Sequence, residues 1–237
     1  FVVREFDKID VNYKPEDVTG IWKDPIFIRY LCLYQLITKC CQNEILQKGF
    51  RTIELVKLLK KEFVNSPDYL NSAKWSAITA ATCQDIAVPL LDVIPHALKV
   101  LTEPFEKLKS FRVSALEFIT QMMKLAPMTY SLLLESSMPQ MLINLVFAFP
   151  NSTILHMAFL QFVETGLTHE SFAMKIVSVY APVCIDCAIQ GTNRVLIPTC
   201  MKMMTLFNEA AKKEKNLALA LDETPEYNNF VKKNLKK

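Results

Sequence analysis

The sequence predicts an all-α protein of stacked antiparallel helices, an armadillo- or HEAT-like α-solenoid, and three observations carry that prediction. Only 4 of the 237 residues are glycine, where average usage is roughly 7%. Tight β-hairpins and phosphate-cradling loops both depend on glycine, so its scarcity argues against β-rich and nucleotide-loop folds. Apolar residues recur at spacings of three and four along most of the chain, and no segment alternates apolar and polar residues between hairpin turns. Many of the resulting helices are apolar around most of their circumference. Each therefore needs cover on more than one side, as in the inner and outer layers of a solenoid. No repeat of fixed period is visible, so no named repeat follows.

Residues 1–24 are polar and broken by Pro15 and Gly20, which reads as an extended lead-in; residues 25–237 read as a single helical-repeat domain. From Pro25, residues Ile26, Tyr30, Leu33, Leu36, Ile37 and Cys40 predict a helix that stops near Lys48-Gly49. A second runs from about Arg51 to Val64, with Ile53, Val56, Leu59 and Phe63 on one face and Asn65-Ser66-Pro67 closing it. Ser72 is read as the cap of a helix over 72–83. The apolar segment Ile86 to Leu101 contains Pro89 and Pro95 and is expected to kink or break. Residues 103–109 form a charged linker, after which Ser110 caps an amphipathic helix ending at Pro127. Further helices are predicted near 128–136, 139–149, 152–166, 170–180, 182–190 and 196–213, and a last one follows Thr224-Pro225-Glu226.

Composition narrows function. A hydrophobic share of 51% with 22% charged residues is globular. The net charge of +3 is far from the strongly basic face that nucleic-acid binding needs, so no nucleic-acid partner is expected. The 7 cysteines are odd in number and embedded in apolar runs, as free thiols are when they act as small buried hydrophobes. This places the chain in a reducing compartment, cytoplasm or nucleus. The opening residues carry charges at Arg4, Glu5, Asp7 and Lys8 where a secretory signal would be apolar. The 28 residues between Glu135 and Glu164 carry no formal charge, enough to span a bilayer. Phe149-Pro150-Asn151-Ser152-Thr153 interrupts them as a helix stop followed by a helix start, so two buried helices are predicted and no membrane span.

Reactive motifs are scarce. Cys184-x-x-Cys187 could begin a zinc or redox site, but zinc needs two more ligands and the redox motif a βαβ setting; core cysteines are the better reading. His96, His156 and His169 are dispersed, and no nucleophile elbow, H-E-x-x-H or Gly-rich loop is present. No cofactor, metal or catalytic residue is expected, and the chain reads as non-enzymatic. The runs Lys57/Lys60/Lys61, Lys107/Lys109/Arg112, Lys212/Lys213/Lys215 and Lys232/Lys233/Lys236/Lys237 read by default as solvated faces. The methionines, among them Met122, Met123, Met141, Met157 and Met203, read as core filler before they read as an adaptable groove.

Three stretches resemble the SAPS-domain proteins, regulatory subunits of type-six serine/threonine protein phosphatases. Val100-Leu101-Thr102-Glu103-Pro104-Phe105 followed by Phe111-Arg112-Val113-Ser114-Ala115-Leu116 is similar to that family's Glu-Pro turn leading into an amphipathic helix. Met138 to Leu142, Asn144 to Phe147 and Asn151 to Val163 match a helix series in order and length. Met201 to Asn208, then Tyr227-Asn228-Asn229-Phe230-Val231 to Leu235, resemble the closing segment. The resemblance spans about residues 86–237. Glu106 stands where the family has Gly after the turn, the second Arg of the following helix is missing, and Tyr227 replaces Trp. The resemblance implies a regulatory or scaffold subunit that binds a phosphatase catalytic subunit and directs it to substrates. Partner contact is then expected at the charged turn, on Glu103, Lys107, Lys109 and Arg112; the alternative is that Glu103 and Arg112 only tie two helices together. A different helical adaptor, in nuclear transport or vesicle traffic, is the competing reading.

Overall fold

The computed structural model of the protein describes residues 24–61, 67–104, 106–191 and 193–234. The lead-in before Asp24, Phe63, the Asn65-Ser66 stop, Phe105 and Leu235 to Lys237 lie outside the described residues, as do the side chains of Lys232 and Lys233. The fold is all-α, with helices packed on helices and no strand among the described residues. Two compact units are present: residues 1–100 with 105–126, and residues 101–104 with 127–237.

The first unit opens with α1, Pro25–Gln42. Asp24 caps it, its Oδ1 accepting the N–H groups of Ile26 and Phe27 at 2.9 and 3.2 Å, and Pro25 fits the first turn, where no N–H is needed. Asn43 stops it. The Asn43 Oδ1 accepts the N–H groups of Ile45 and Leu46 at 3.0 and 3.1 Å, a local bond that competes with continued helix. Lys48-Gly49, expected as the stop, falls instead inside the single turn α2, Gln47–Phe50. Helix α3, Ile53–Leu59, is capped by the Thr52 hydroxyl. It buries Leu55, Val56, Leu58 and Leu59 and leaves Ile53 exposed, a rotation from the face read in the sequence.

Helix α4 is Asp68–Ala81. Ser72 is not its cap: it lies one turn inside, its hydroxyl donating to the Asp68 carbonyl at 2.8 Å. The proline-bearing segment is broken as predicted, into a 3-10 turn at Gln84–Ile86, α5 at Ala87–Leu90, a second 3-10 turn at Leu91–Val93, and α6 at Ile94–Thr102. Helix α7, Ser110–Leu125, follows the linker; Ser110 is its first residue and not its cap, because its hydroxyl bonds Ser72 across to α4 and Lys109 holds the cap position.

Helix α4 packs against both α1 and α7, and the hydrogen bonds fix their directions. At the N-terminal ends Ser72 and Ser110 share a hydroxyl–hydroxyl bond of 2.6 Å, and Lys109 pairs with Asp68 at 2.9 Å. At the C-terminal ends one Arg51 guanidinium nitrogen donates to both Cys41 O and Ala80 O, at 3.1 and 3.2 Å, and the Gln84 amide donates to Leu125 O. Helices α1, α4 and α7 are therefore parallel to one another. They form one layer, and the segments connecting them, which include α3 and α5 packed together, run back to restart each helix. Consecutive layers of this kind are what a solenoid stacks. The layer is held by Phe27, Tyr34, Ile37, Ile78, Leu116 and Phe118, each fully buried, and each contributes roughly 1.5–3 kcal/mol by leaving water. Trp75 tilts over Phe118 with ring centroids 6.0 Å apart.

The second unit is organised differently. Its helices are α8 Met128–Glu135, α9 Met138–Ala148, α10 Thr153–Gly166, α11 Glu170–Gln190, α12 Ile197–Ala211, α13 Lys215–Asp222 and α14 Tyr227–Asn234. The long α11 packs against all six of the others, burying Phe172, Ile176, Val177, Tyr180 and Cys184. The uncharged run after Glu135 is the pair α9 and α10 with their connections, broken at Phe149–Ser152 as predicted. Helix α11 itself is long and apolar enough to cross a membrane, and half of its most apolar stretch is buried inside the protein.

The break expected near residue 181 is absent: Pro182 lies inside a continuous α11. Pro182 is exposed, on the side where water replaces the lost backbone bond and the helix can bend freely. Gly191 ends the helix with φ +62°, a left-handed cap that glycine adopts without strain. Gly166 allows α10 to approach α11: a Cβ there would meet the Phe172 ring at 3.0 Å. The helix expected over 196–213 stops at Ala211, and α13 follows as a separate element because Leu217 and Leu221, four residues apart, bury one face. Lys175 reaches from α11 to the end of α8, donating to the carbonyls of Leu133 at 3.4 Å, Ser136 at 2.8 Å and Leu134. An ammonium there satisfies orphan carbonyls and suits the negative end of the helix dipole.

Candidate partner-binding groove

The parallel layer of the first unit leaves a concave groove of about 940 Å³ over the C-terminal halves of α1 and α4 and the length of α7 from Ser114 to Leu125. It forms because the three helices are gathered by tertiary bonds. Arg51, on the connection after α2, ties α1 to α4 and is itself steadied by the Gln47 side chain. Thr79 ties α4 to α7, its hydroxyl lying 2.9 Å from Trp75 O and 3.0 Å from Ser114 O.

The lining is polar. Helix α1 contributes Thr38 and Lys39, α4 contributes Ser76 and Thr79, and α7 contributes Ser114, Glu117, Gln121 and Lys124. Small-molecule pockets are lined mostly by apolar and aromatic side chains, so hydroxyls, amides and charges over a shallow surface suit a polypeptide better. Lys39 and Lys124 are exposed, whereas Glu117 is half-buried. Burial pushes the Glu117 carboxyl above its ordinary value, because a charged carboxylate loses hydration there. Cys41, also in the lining, is raised by burial to about 11, with Arg51 opposing the rise. That is an inert thiol at neutral pH.

The residues anticipated as contacts lie elsewhere. Glu103 is exposed in the bend after α6, and Lys107 is exposed in the linker. Lys109 is exposed, paired with Asp68 at 2.9 Å, and stands 5.9 Å from the Phe111 ring centroid. Arg112 is 4% exposed, flanked by the buried Phe111 and Val113 in the first turn of α7. It is a packed structural residue, and the exposed cations before α7 are Lys107 and Lys109. None of the four lines the groove, which on α7 runs from Ser114 to Leu125.

The remaining chemical candidates resolve into packing. Cys184 and Cys187 are buried on α11 beside Cys200 of α12. Burial raises the Cys184 thiol, and it raises Cys187 to about 11, while hydrogen bonding from its two neighbours lowers Cys200. Among the described residues no group of His, Cys, Asp and Glu has the geometry of a metal site. His156 is 9% exposed and satisfied on both ring nitrogens, Nε2 to Phe149 O at 3.2 Å and Nδ1 to the Thr199 hydroxyl at 3.3 Å. Nε2 is the donor to the Phe149 carbonyl, since a carbonyl oxygen only accepts. His169 stacks on Tyr130 at 4.2 Å, and His96 is exposed. Met122, Met123, Met138, Met203 and Met204 fill the core, while Met157 is 61% exposed.

Sequence reasoning missed the groove. Its residues come from three helices and a connection, and each taken singly is an ordinary polar position on a helix. Comparison with protein-family models, with curated proteins and with solved structures gives no match.

Proposed function

We propose that this chain is a non-catalytic scaffold subunit that holds another protein, and that the partner is the catalytic subunit of a serine/threonine phosphatase. The observation that carries the scaffold reading is the polar groove across α1, α4 and α7, a surface suited to polypeptide and assembled without a reactive side chain. Layered helices offer extended concave surfaces, on which binding needs a few anchors and no chemistry. The phosphatase assignment rests on the Glu-Pro turn, the helix series of α9 and α10, and the closing Tyr227 to Val231 segment, through their resemblance to phosphatase regulatory subunits. Such a subunit raises the local concentration of chosen substrates around the enzyme.

Affinity capture with the full chain, followed by mass spectrometry, tests this. Stoichiometric recovery of a phosphatase catalytic subunit is the expected result; recovery of transport or coat proteins in its place discards the phosphatase assignment. If the charged turn contributes, the double substitution Lys107→Glu with Lys109→Glu weakens capture without unfolding the chain, since both side chains are exposed. Unchanged capture removes the turn from the interface. Arg112 is left out of that test because a reversed charge at a buried site would unfold α7.

A further inference from the structure

We propose that the three cysteines where α11 meets α12 form a redox-sensitive clamp: under hydrogen peroxide, a disulfide joins Cys200 to one of the α11 cysteines flanking it, Cys184 or Cys187.

The placement follows from the backbone. A short connection after Gly191 returns the chain, so α11 and α12 are packed antiparallel neighbours. Cys187 stands three residues before the last residue of α11, Gln190, and Cys200 three residues after the first residue of α12, Ile197. Positions equally far from the connection face each other in such a pair. Cys184 is one turn further along the same face of α11. All three side chains are buried, all three thiols are free, and Cys200 shares side-chain hydrogen bonds with both of the others. The packing that makes these residues core in the reduced chain therefore also holds three thiols together across two helices.

The two helix ends give the thiols different roles. Cys200 lies in the first turn of α12, where the positive end of the helix dipole favours a thiolate. Hydrogen bonds from its neighbours lower it further. Cys187 lies in the last turn of α11, at the negative end, and burial pushes it up to about 11. Cys200 is therefore the sulfur that meets the oxidant. The cover over this end includes the connection itself, since Cys187 Sγ lies 3.9 Å from Asn193 O. Lifting a connection is a local opening and costs less than unfolding the domain.

The chemistry balances with peroxide as the oxidant. The Cys200 thiolate attacks one peroxide oxygen; an S–O bond forms, the O–O bond breaks, and the departing hydroxide takes a proton and leaves as water. Cys200 is then a sulfenic acid, oxidised by two electrons. The sulfur of Cys187 or Cys184 attacks it, the S–S bond forms, and the hydroxyl leaves with that thiol's proton as a second water. The product pins α11, the helix packed against all the others of its unit, to α12 at the connection. This holds whatever the chain binds.

The test uses the full chain, reduced and then treated with hydrogen peroxide in native buffer. Remaining thiols are alkylated, and a non-reducing tryptic digest is read by mass spectrometry. Trypsin separates Cys200, in residues 195–202, from Cys184 and Cys187, in residues 176–194. The expected product is these two peptides linked, with the circular dichroism of the chain unchanged. Cys184→Ala and Cys187→Ala should each retain a linked pair. The double variant should lose it and leave Cys200 as a sulfenic acid that dimedone traps. Oxidation of the exposed Cys32 with Cys200 still reduced overturns the proposal. So does a link from Cys200 to any other cysteine, or a linked pair that forms only in urea.

Discussion

The two units solve the same problem, covering apolar helices, in opposite ways. In the second, one long helix is surrounded by six shorter ones, so Phe172, Tyr180 and Cys184 are sealed from every side. In the first, three parallel helices lie side by side in a layer, covered on one side by their connecting segments and open on the other. The surrounded arrangement maximises burial and leaves little concave surface on its central helix. The layered one gives up part of that burial and gains a groove. The contrast leaves α11 enclosed and gives α1, α4 and α7 an open, polar groove.

Substitutions can break or sharpen this contrast, beginning with the largest effect. Phe172 meets Phe162 edge-on at 5.8 Å and Tyr130 at 5.7 Å. Phe172→Ala should therefore cost about 3–5 kcal/mol in urea denaturation. A loss below about 1 kcal/mol would mean that α11 is not the hub it resembles. Next comes Arg51→Ala, which frees the carbonyls of Cys41 and Ala80 and should cost about 1–3 kcal/mol. Hydrogen exchange should rise at the C-terminal ends of α1 and α4 and stay unchanged in α11. Equal change in both would show that Arg51 does not hold the groove together. Lys109→Ala removes an exposed pair with Asp68, whose side chains are 45% and 55% exposed, and should cost about 0.5 kcal/mol or less.

The smallest effect has the opposite sign. Burial raises the folded-state pKa of Glu117 above its unfolded value. The carboxyl therefore favours folding only while protonated, below its unfolded pKa, and that contribution is lost as pH rises through the folded value. At neutral pH the ionised group opposes folding. Glu117→Gln should thus stabilise the chain there by about 0.5 kcal/mol or less, after allowance for screening at a half-exposed site. The gain should vanish in acid, as read from thermal unfolding across pH. A destabilised Glu117→Gln would show that the ionised carboxylate is held favourably in the fold after all.

How far the sequence revealed this can be judged residue by residue. Helix α7 is legible because its apolar positions keep helical spacing and its ends carry Lys109-Ser110 and Ala126-Pro127. The break between α9 and α10 is legible because Pro150, Asn151 and Ser152 each act locally. Pro182 misleads, since the cost of a helix proline depends on which side of the helix is wet, and only the fold decides that. Arg112 misleads as well: its charge reads as surface, while its neighbours Phe111 and Val113 pull the turn inward. The groove is illegible in principle from one sequence. It depends on Arg51 meeting Cys41 and Ala80, positions ten and twenty-nine residues away, and no local pattern encodes that meeting.

Lys175 carries a consequence of another kind. Its amine is enclosed by the carbonyls of Leu133, Leu134 and Ser136, so an acylating reagent reaches it only when the end of α8 lets go. The exposed Lys39 and Lys124 lie open to an activated ester from the start. The lag of Lys175 behind them would time how often α8 detaches, a stopwatch built into the chain that needs no label.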